Sequence, residues 1–225
     1  MKVPNSEWFR RQLTKGEFKT NFASAVQWDC IFAATNTDRT LFLIKQLSND
    51  LAGRGRLIRK KETKWSRPPE DWFKLNVDGS IDTSGQSGAV GGLLRDANGN
   101  WKWGFSKLIG PTIVDEAELL AIFHGLDIAW SKRIHELVVE TDSESIFKML
   151  ADDSHVTDSL HELVTRCRNL IHNPWDIEVK KVDRGCNRSA DCMAKLGQGN
   201  QSGVVFWDTP PESVISAIRR DRLGL

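Results

Sequence analysis

Four acidic residues stand in four separate motifs of this chain. They are Asp78 in Asn76-Val-Asp-Gly-Ser80, Glu118 in Ala117-Glu-Leu-Leu-Ala121, Asp142 in Glu140-Thr-Asp-Ser143, and Asp191 in Asn187-Arg-Ser-Ala-Asp191. Carboxylates gathered at one point repel one another unless a cation holds them. Hard cations such as Mg²⁺ take oxygen ligands, and paired ions cut phosphodiester bonds. The spacings of 40, 24 and 49 residues are non-local, so only a fold can bring the four together.

Each acid also has a plain reading. Asp78 precedes Gly79, a common turn pair. Asp142 could cap a following helix, and Asp191 falls in a first helical turn, where the dipole favours an acid. Glu118 is harder to dismiss. Its helical neighbours Ala121, Ile122, Gly125 and Ala129 form a small apolar stripe, so the carboxylate should be partly buried. Burial is costly for a charge that lacks a partner.

The elements that must position these residues are legible from Trp72 onward. Phe73, Leu75 and Val77 alternate with Lys74, Asn76 and Asp78, which predicts a strand with one apolar face. Val90–Arg95 and Trp101–Ser106 read as further strands, joined by the turn Asp96-Ala-Asn-Gly-Asn100. Leu119, Ile122, Phe123, Leu126 and Trp130 predict a helix over Glu116–Ser131. Leu137-Val-Val139 reads as a buried strand and Ile177–Val182 as a fifth one. Helices are expected over Glu144–Leu150, Asp158–Ile171 and Arg188–Leu196, the last closed by Gly197 as a left-handed cap. The fold class is therefore α/β, a five-stranded mixed sheet with helices on both faces. In open sheets of this kind sites form at the carboxyl ends of strands.

Taken together, and in this order, the motifs resemble ribonuclease H of type 1, and in particular the plant ribonuclease H-like proteins related to non-LTR retrotransposons. The likeness covers about Trp65–Gly199. It is carried by residues 68–80, by Gly88–Asp96 with Gly99, by Ala117–Ala121 with Gly125-Leu126 and Ala129-Trp130, by Val139–Ser143, and by Asn187–Asp191. The resemblance implies the β-β-β-α-β-α-β-α fold and two Mg²⁺ ions, with Mn²⁺ as a substitute. Asp78, Glu118, Asp142 and Asp191 would be both metal ligands and catalytic groups. Cleavage of the RNA strand of an RNA–DNA hybrid would leave a 5′-phosphate and a 3′-hydroxyl. Gly79, Ser80, Ser143 and Asn187 would contact substrate. Three departures stand beside it. No His follows His172, where some members carry one before the last acid. Lys181-Val-Asp-Arg-Gly-Cys-Asn187 replaces the His and the Glu of the plant-type loop, and there is no basic protrusion between the middle helices. The altered loop favours an alternative, a weak or inactive retroelement-derived domain that binds nucleic acid or a protein.

Charge is unevenly spread. Residues 1–71 hold 14 Lys/Arg against 8 Asp/Glu, whereas residues 72–199 hold 14 against 19. Arg54, Arg56, Arg59, Lys60, Lys61, Lys64 and Arg67 form a basic run, read either as a solvated linker or as an arm for phosphates. Helices are expected over Phe18–Thr35 and Arg39–Leu51, and Pro68-Pro69 marks a boundary. The chain thus divides into a helical or partly disordered basic extension over 1–64, a ribonuclease H-like domain over 65–199 and a tail over 200–225. Apolar content of 40% suits a globular domain, and no long apolar run suggests a membrane span. The start Met-Lys-Val-Pro-Asn lacks an apolar signal core, so an intracellular protein, nuclear or cytoplasmic, is expected. Cys30, Cys167, Cys186 and Cys192 show no Cys-x-x-Cys spacing and are expected as free thiols. A monomer is expected, with nucleic acid as its partner.

Overall fold

The computed structural model describes residues 55–59, 64–85, 87–200 and 203–223. The helices expected over Phe18–Thr35 and Arg39–Leu51 lie outside the described residues. The strands are β1 (Arg56–Arg59), β2 (Phe73–Ile81), β3 (Gly88–Arg95), β4 (Trp101–Gly110), β5 (Glu136–Thr141), β6 (Asp176–Lys181) and β7 (Val204–Trp207). The helices are α1 (Val114–Ser131), α2 (Glu144–Ala151), α3 (His161–Ile171), α4 (Arg188–Gly197) and α5 (Glu212–Leu223). They build one mixed sheet in the order β1-β6-β5-β2-β3-β4-β7. Pairing is parallel from β1 to β2 and antiparallel from β2 to β7.

The five expected strands are all present. The two extra ones, β1 and β7, are four-residue edge strands. None of their described side chains is fully buried, so a search for alternation passes over both. β1 arises inside the basic run that reads as a linker, and it pairs with β6 by backbone bonds that no side-chain pattern announces. β7 and α5 likewise carry the fold past residue 199.

The core lies on both sides of the sheet. Leu75, Val77 and Val139 meet Leu119, Ile122 and Leu126 of α1, with α2 and α3 closing that layer. On the opposite face Leu93 packs with Ala190 and Met193 of α4 and Val214 and Ile218 of α5. Each fully buried side chain of this size contributes about 1.5–3 kcal/mol. Trp103, Trp130 and Trp175 are packing groups here. Trp130 and Trp175 meet edge to face with ring centres 5.3 Å apart, and Trp103 is buried.

Two close approaches set where the helices lie. A Cβ on Gly79 would sit 2.6 Å from the backbone of Ala117 and Glu118, so only glycine lets the start of α1 rest on β2. A Cβ on Gly91 would sit 2.3 Å from the backbone of Met193 and Ala194, which seats α4 on β3 in the same way. Gly197 differs from its expected role. Its φ is not positive; it lies within α4, where Ala89 and the Lys107 carbonyl crowd the space a Cβ would take. The turn after β3 does use a left-handed glycine, Gly99 at φ 75°, while Asp96 Oδ1 accepts from the amides of Asn98 and Asn100.

Gly91→Ala is expected to destabilise the domain by about 1–3 kcal/mol through this overlap. Urea unfolding checks it, and an unchanged midpoint would contradict the close seating of α4.

Candidate active site

The parallel ladder between β2 and β5 stops at the pair Asn76–Glu140. Beyond it β2 runs on beside β3 as far as Ile81, while β5 ends at Thr141. Asp78 and Asp142 occupy the cleft that opens there. Asp78 is therefore mid-strand, opposite Gly91, and not the end of a strand. The turn belongs to Asp82, whose carboxylate accepts from the Ser84 hydroxyl and the Ser87 amide. Nor does Asp142 cap α2: Ser143 does so, its Oγ accepting from the Ile146 amide at 3.4 Å. Two of the plain readings thus give way.

Glu118 reaches the cleft from α1. Its small apolar stripe packs as expected, Ala121, Ile122, Gly125 and Ala129 all being buried. Its Oε2 accepts from the Gly79 amide at 3.3 Å, a bond that the bare Gly79 backbone allows. Oxygens of Asp78, Glu118 and Asp142 lie within 4.8 Å of one another, the one such group of three among the described residues. Asp191 stands apart. It is half-exposed on α4, and its Oδ2 accepts from Lys195 Nζ at 2.7 Å, one helical turn on.

The electrostatics follow from this crowding. Burial, and then the charges of Glu118, Asp142 and Asp191, push Asp78 up to about 9. Burial and Asp142 push Glu118 up to about 8, against the pull of the Gly79 amide. Nearby cationic help is slight: the Arg184 guanidinium, 3.9 Å from Asp142, is 95% exposed. Carboxyls whose protons are held by burial and by one another's charge, all with oxygen donors, suit a hard divalent cation.

The other expected site residues are engaged internally. Asn187 is 1% exposed; its Nδ2 donates to the Val77 carbonyl at 2.9 Å and to Asp142 Oδ1 at 3.4 Å. It thereby fixes Asp142 against β2. The Ser80 carbonyl accepts from Gln198, and the Gly79 amide serves Glu118.

Beneath the cleft lies a buried polar network that the sequence reading misses. Lys74 and Asn76, the polar side of the alternation in β2, are buried under α4. Lys74 pairs with Glu140 at 2.5 Å. Asn76 donates to Glu140 Oε2 and to Asn187 Oδ1, and accepts from Arg95 at 2.6 Å and from Trp65 Nε1 at 3.1 Å. Arg95 is fully buried, bonded to Asp221 of α5 at 2.7 Å, with the Trp65 ring centre 3.7 Å from its Cζ. Asp221 also accepts from Ser189, beside Asn187. One signal in the sequence could have revealed it. Lys74 and Asn76 share parity with Asp78 on a central strand, and a central strand with helices on both sides has no solvent face.

Residues 76–197 match the family model described as reverse transcriptase-like. The chain belongs to that family. A relative in Arabidopsis thaliana, whose name describes it as a ribonuclease H protein, is 33% identical over 160 residues, 71% of this chain. That stretch is 26% of the relative, so the chain spans about a quarter of its length. Two solved structures align at a TM-score of 0.51. Ribonuclease H1 from the halophilic archaeon Halobacterium salinarum NRC-1 is 22% identical, with 56% of this chain and 96% of that one covered. The N-terminal ribonuclease H domain of a Mycobacterium tuberculosis protein is 20% identical, with 56% and 91% covered. The reverse transcriptase-like domain thus has the ribonuclease H fold. No helix among its described residues is long and apolar enough to cross a membrane, and Cys167, Cys186 and Cys192 are in no disulfide.

Two expectations follow. Without a cation, the folded domain holds protons on Asp78 and Glu118 that the unfolded chain releases near pH 4. Their contribution to stability is complete below that pH, declines as pH rises, and is lost above about 9 for Asp78 and about 8 for Glu118. Added Mg²⁺ should raise the melting temperature more at pH 8.5 than at pH 5.5; equal increments would contradict the crowded-carboxylate account. Separately, Asp221→Ala leaves the Arg95 guanidinium buried without its counter-ion and should cost about 3–5 kcal/mol in chemical unfolding.

Proposed function

We propose that this domain hydrolyses the RNA strand of RNA–DNA hybrids, using a site of four carboxylates and two divalent ions, Mg²⁺ or in its place Mn²⁺. The observation that carries the reading is the group of buried Asp78 with half-buried Glu118 and Asp142, their oxygens within 4.8 Å at the end of a parallel ladder. A structural domain has no physical need to crowd like charges. The name of the Arabidopsis thaliana relative agrees with it.

In this reading Asp78, Glu118 and Asp142 would hold the ions, and Asp191 would join them once its carboxylate leaves Lys195. When bound, such a pair neutralises charge at the phosphodiester and lowers the pKa of an attacking water. The remaining work falls to the chain. Asn187 keeps Asp142 directed at Asp78 from beneath, and Gly79 keeps Glu118 at the cleft. Recognition of RNA needs contact with the 2′-hydroxyl. Glu118 and the backbone at Gly79-Ser80 border the place for it; Ser143 is a further candidate contact. The products are a 5′-phosphate and a 3′-hydroxyl.

One observation favours a second reading, a domain that binds nucleic acid without cutting. Asp191 is paired with Lys195 outside the group of three. One assay separates the two. A labelled RNA–DNA hybrid is incubated with the full chain in Mg²⁺ and then in Mn²⁺, beside the Asp78→Asn protein. The proposal expects cutting of the RNA strand by the parent and at least a hundredfold loss in the variant, with unchanged folding by circular dichroism. No cutting by folded parent with either ion would overturn it and leave the second reading.

A further inference from the structure

The candidate ions and their ligands would account for the phosphate under attack and leave open what holds the strand in place beside it. The domain from 72 to 199 is acidic, with 14 Lys/Arg against 19 Asp/Glu, so strand binding must draw on a few well-placed cations. Most cationic groups close to the cleft are already used. Lys195 is bonded to Asp191, and Lys74 and Arg95 are buried in the network below.

Two guanidiniums are not. A surface cavity of about 360 Å³ is lined by Arg188, Asp191 and Cys192 of α4 and by Ser216, Ala217 and Arg220 of α5. Arg188 and Arg220 are exposed, and neither has a carboxylate or hydrogen-bond partner among the described residues. Arg188 lies three residues before Asp191, on the same face of α4. The cavity therefore opens directly beside a candidate metal ligand. Ser216 and Arg220 are four apart on α5, so they line the opposite wall as one stripe. A hydroxyl and two planar guanidiniums around a surface recess are donors suited to phosphate oxygens.

The wall that α5 supplies is firmly anchored. The residue after Arg220 is Asp221, whose carboxylate is buried against Arg95 at 2.7 Å and Ser189 at 2.7 Å. Arg222 adds a bond to Asn100 Oδ1 at 2.9 Å. Arg220 therefore projects from a fixed backbone, which reduces the ordering entropy lost when it meets a ligand.

We propose that Arg188, Arg220 and Ser216 form a subsite for a backbone phosphate of the cleaved strand, next to the scissile one. It rests on the reading of the domain as a hybrid nuclease. α5 is then part of the nucleic-acid surface as well as of the core.

The test reads binding, not cutting, and uses the full chain carrying Asp78→Asn so that the hybrid stays intact. Affinity is measured against salt for this parent, for the Arg188→Ala/Arg220→Ala double variant, and for Arg219→Ala, an exposed neighbour outside the cavity. The double variant should bind more weakly by roughly tenfold or more, with the slope of log affinity against log salt shallower by about 1. Arg219→Ala should match the parent. A single neutral methylphosphonate is then walked along each strand. In the parent one position in the RNA strand should weaken binding, and the double variant should be indifferent there. If the parent binds but the double variant keeps its slope and its sensitive position, the subsite is wrong and the nuclease reading stands. A sensitive position in the DNA strand alone would also overturn the assignment. If the folded parent binds no hybrid at all, both fall together.

Discussion

Asp78, Glu118 and Asp142 repel one another, and the chain around them is arranged so that they cannot move apart. A carboxylate on a flexible loop would turn away to solvent. Here Asp78 is fixed mid-strand by ladder bonds to β3 on one side. Glu118 is fixed because α1 touches β2 at a glycine, with no side chain between the two backbones. Asp142 follows the last residue of β5, and Asn187 holds it from below. Burial first, and then this repulsion, favours protons on the carboxyls in the absence of a cation and raises Asp78 and Glu118 far above the usual carboxylate range.

What holds these elements in register is the layer beneath. Asn76 stands two residues from Asp78 and contacts Glu140, Asn187, Arg95 and Trp65. Glu140 stands two residues before Asp142, and Asn187 four before Asp191. Each strand or helix that presents an acid also sends a polar side chain into this layer, apart from α1, which docks by close packing. Buried ion pairs are poor sources of stability compared with apolar packing. Their use here is better understood as geometry: directional bonds fix the relative positions of β2, β5 and α4 in a way that interchangeable apolar contacts do not.

The sequence disclosed the fold's centre and the acids but not their setting. The strands β2 to β6 and helices α1 to α4 announce themselves because each buries an apolar face with a regular period. β1 and β7 are held by edge pairing and none of their described side chains is fully buried, so pattern reading passes over them. The plain readings of Asp78 and Asp142 as turn and cap were reasonable on local grounds. They gave way because Asp82 and Ser143, a few residues further on, perform those tasks. The polar network was invisible for a different reason. Alternation of Leu75 and Val77 with Lys74 and Asn76 looks like a strand with a wet face, and only the placement of α4 over that face shows it to be dry.

The family match covers residues 76–197, yet the folded body reaches further at both ends. Trp65 covers Arg95 from one side of that span and Asp221 neutralises it from the other. A fragment cut to the matched span would retain every acid of the cleft. It would also carry a naked guanidinium in its interior, with neither its aromatic lid nor its counter-ion. The span matched by the family and the unit that folds therefore differ. Any exchange of the segment between proteins, by recombination or by design, has to carry both flanks with it.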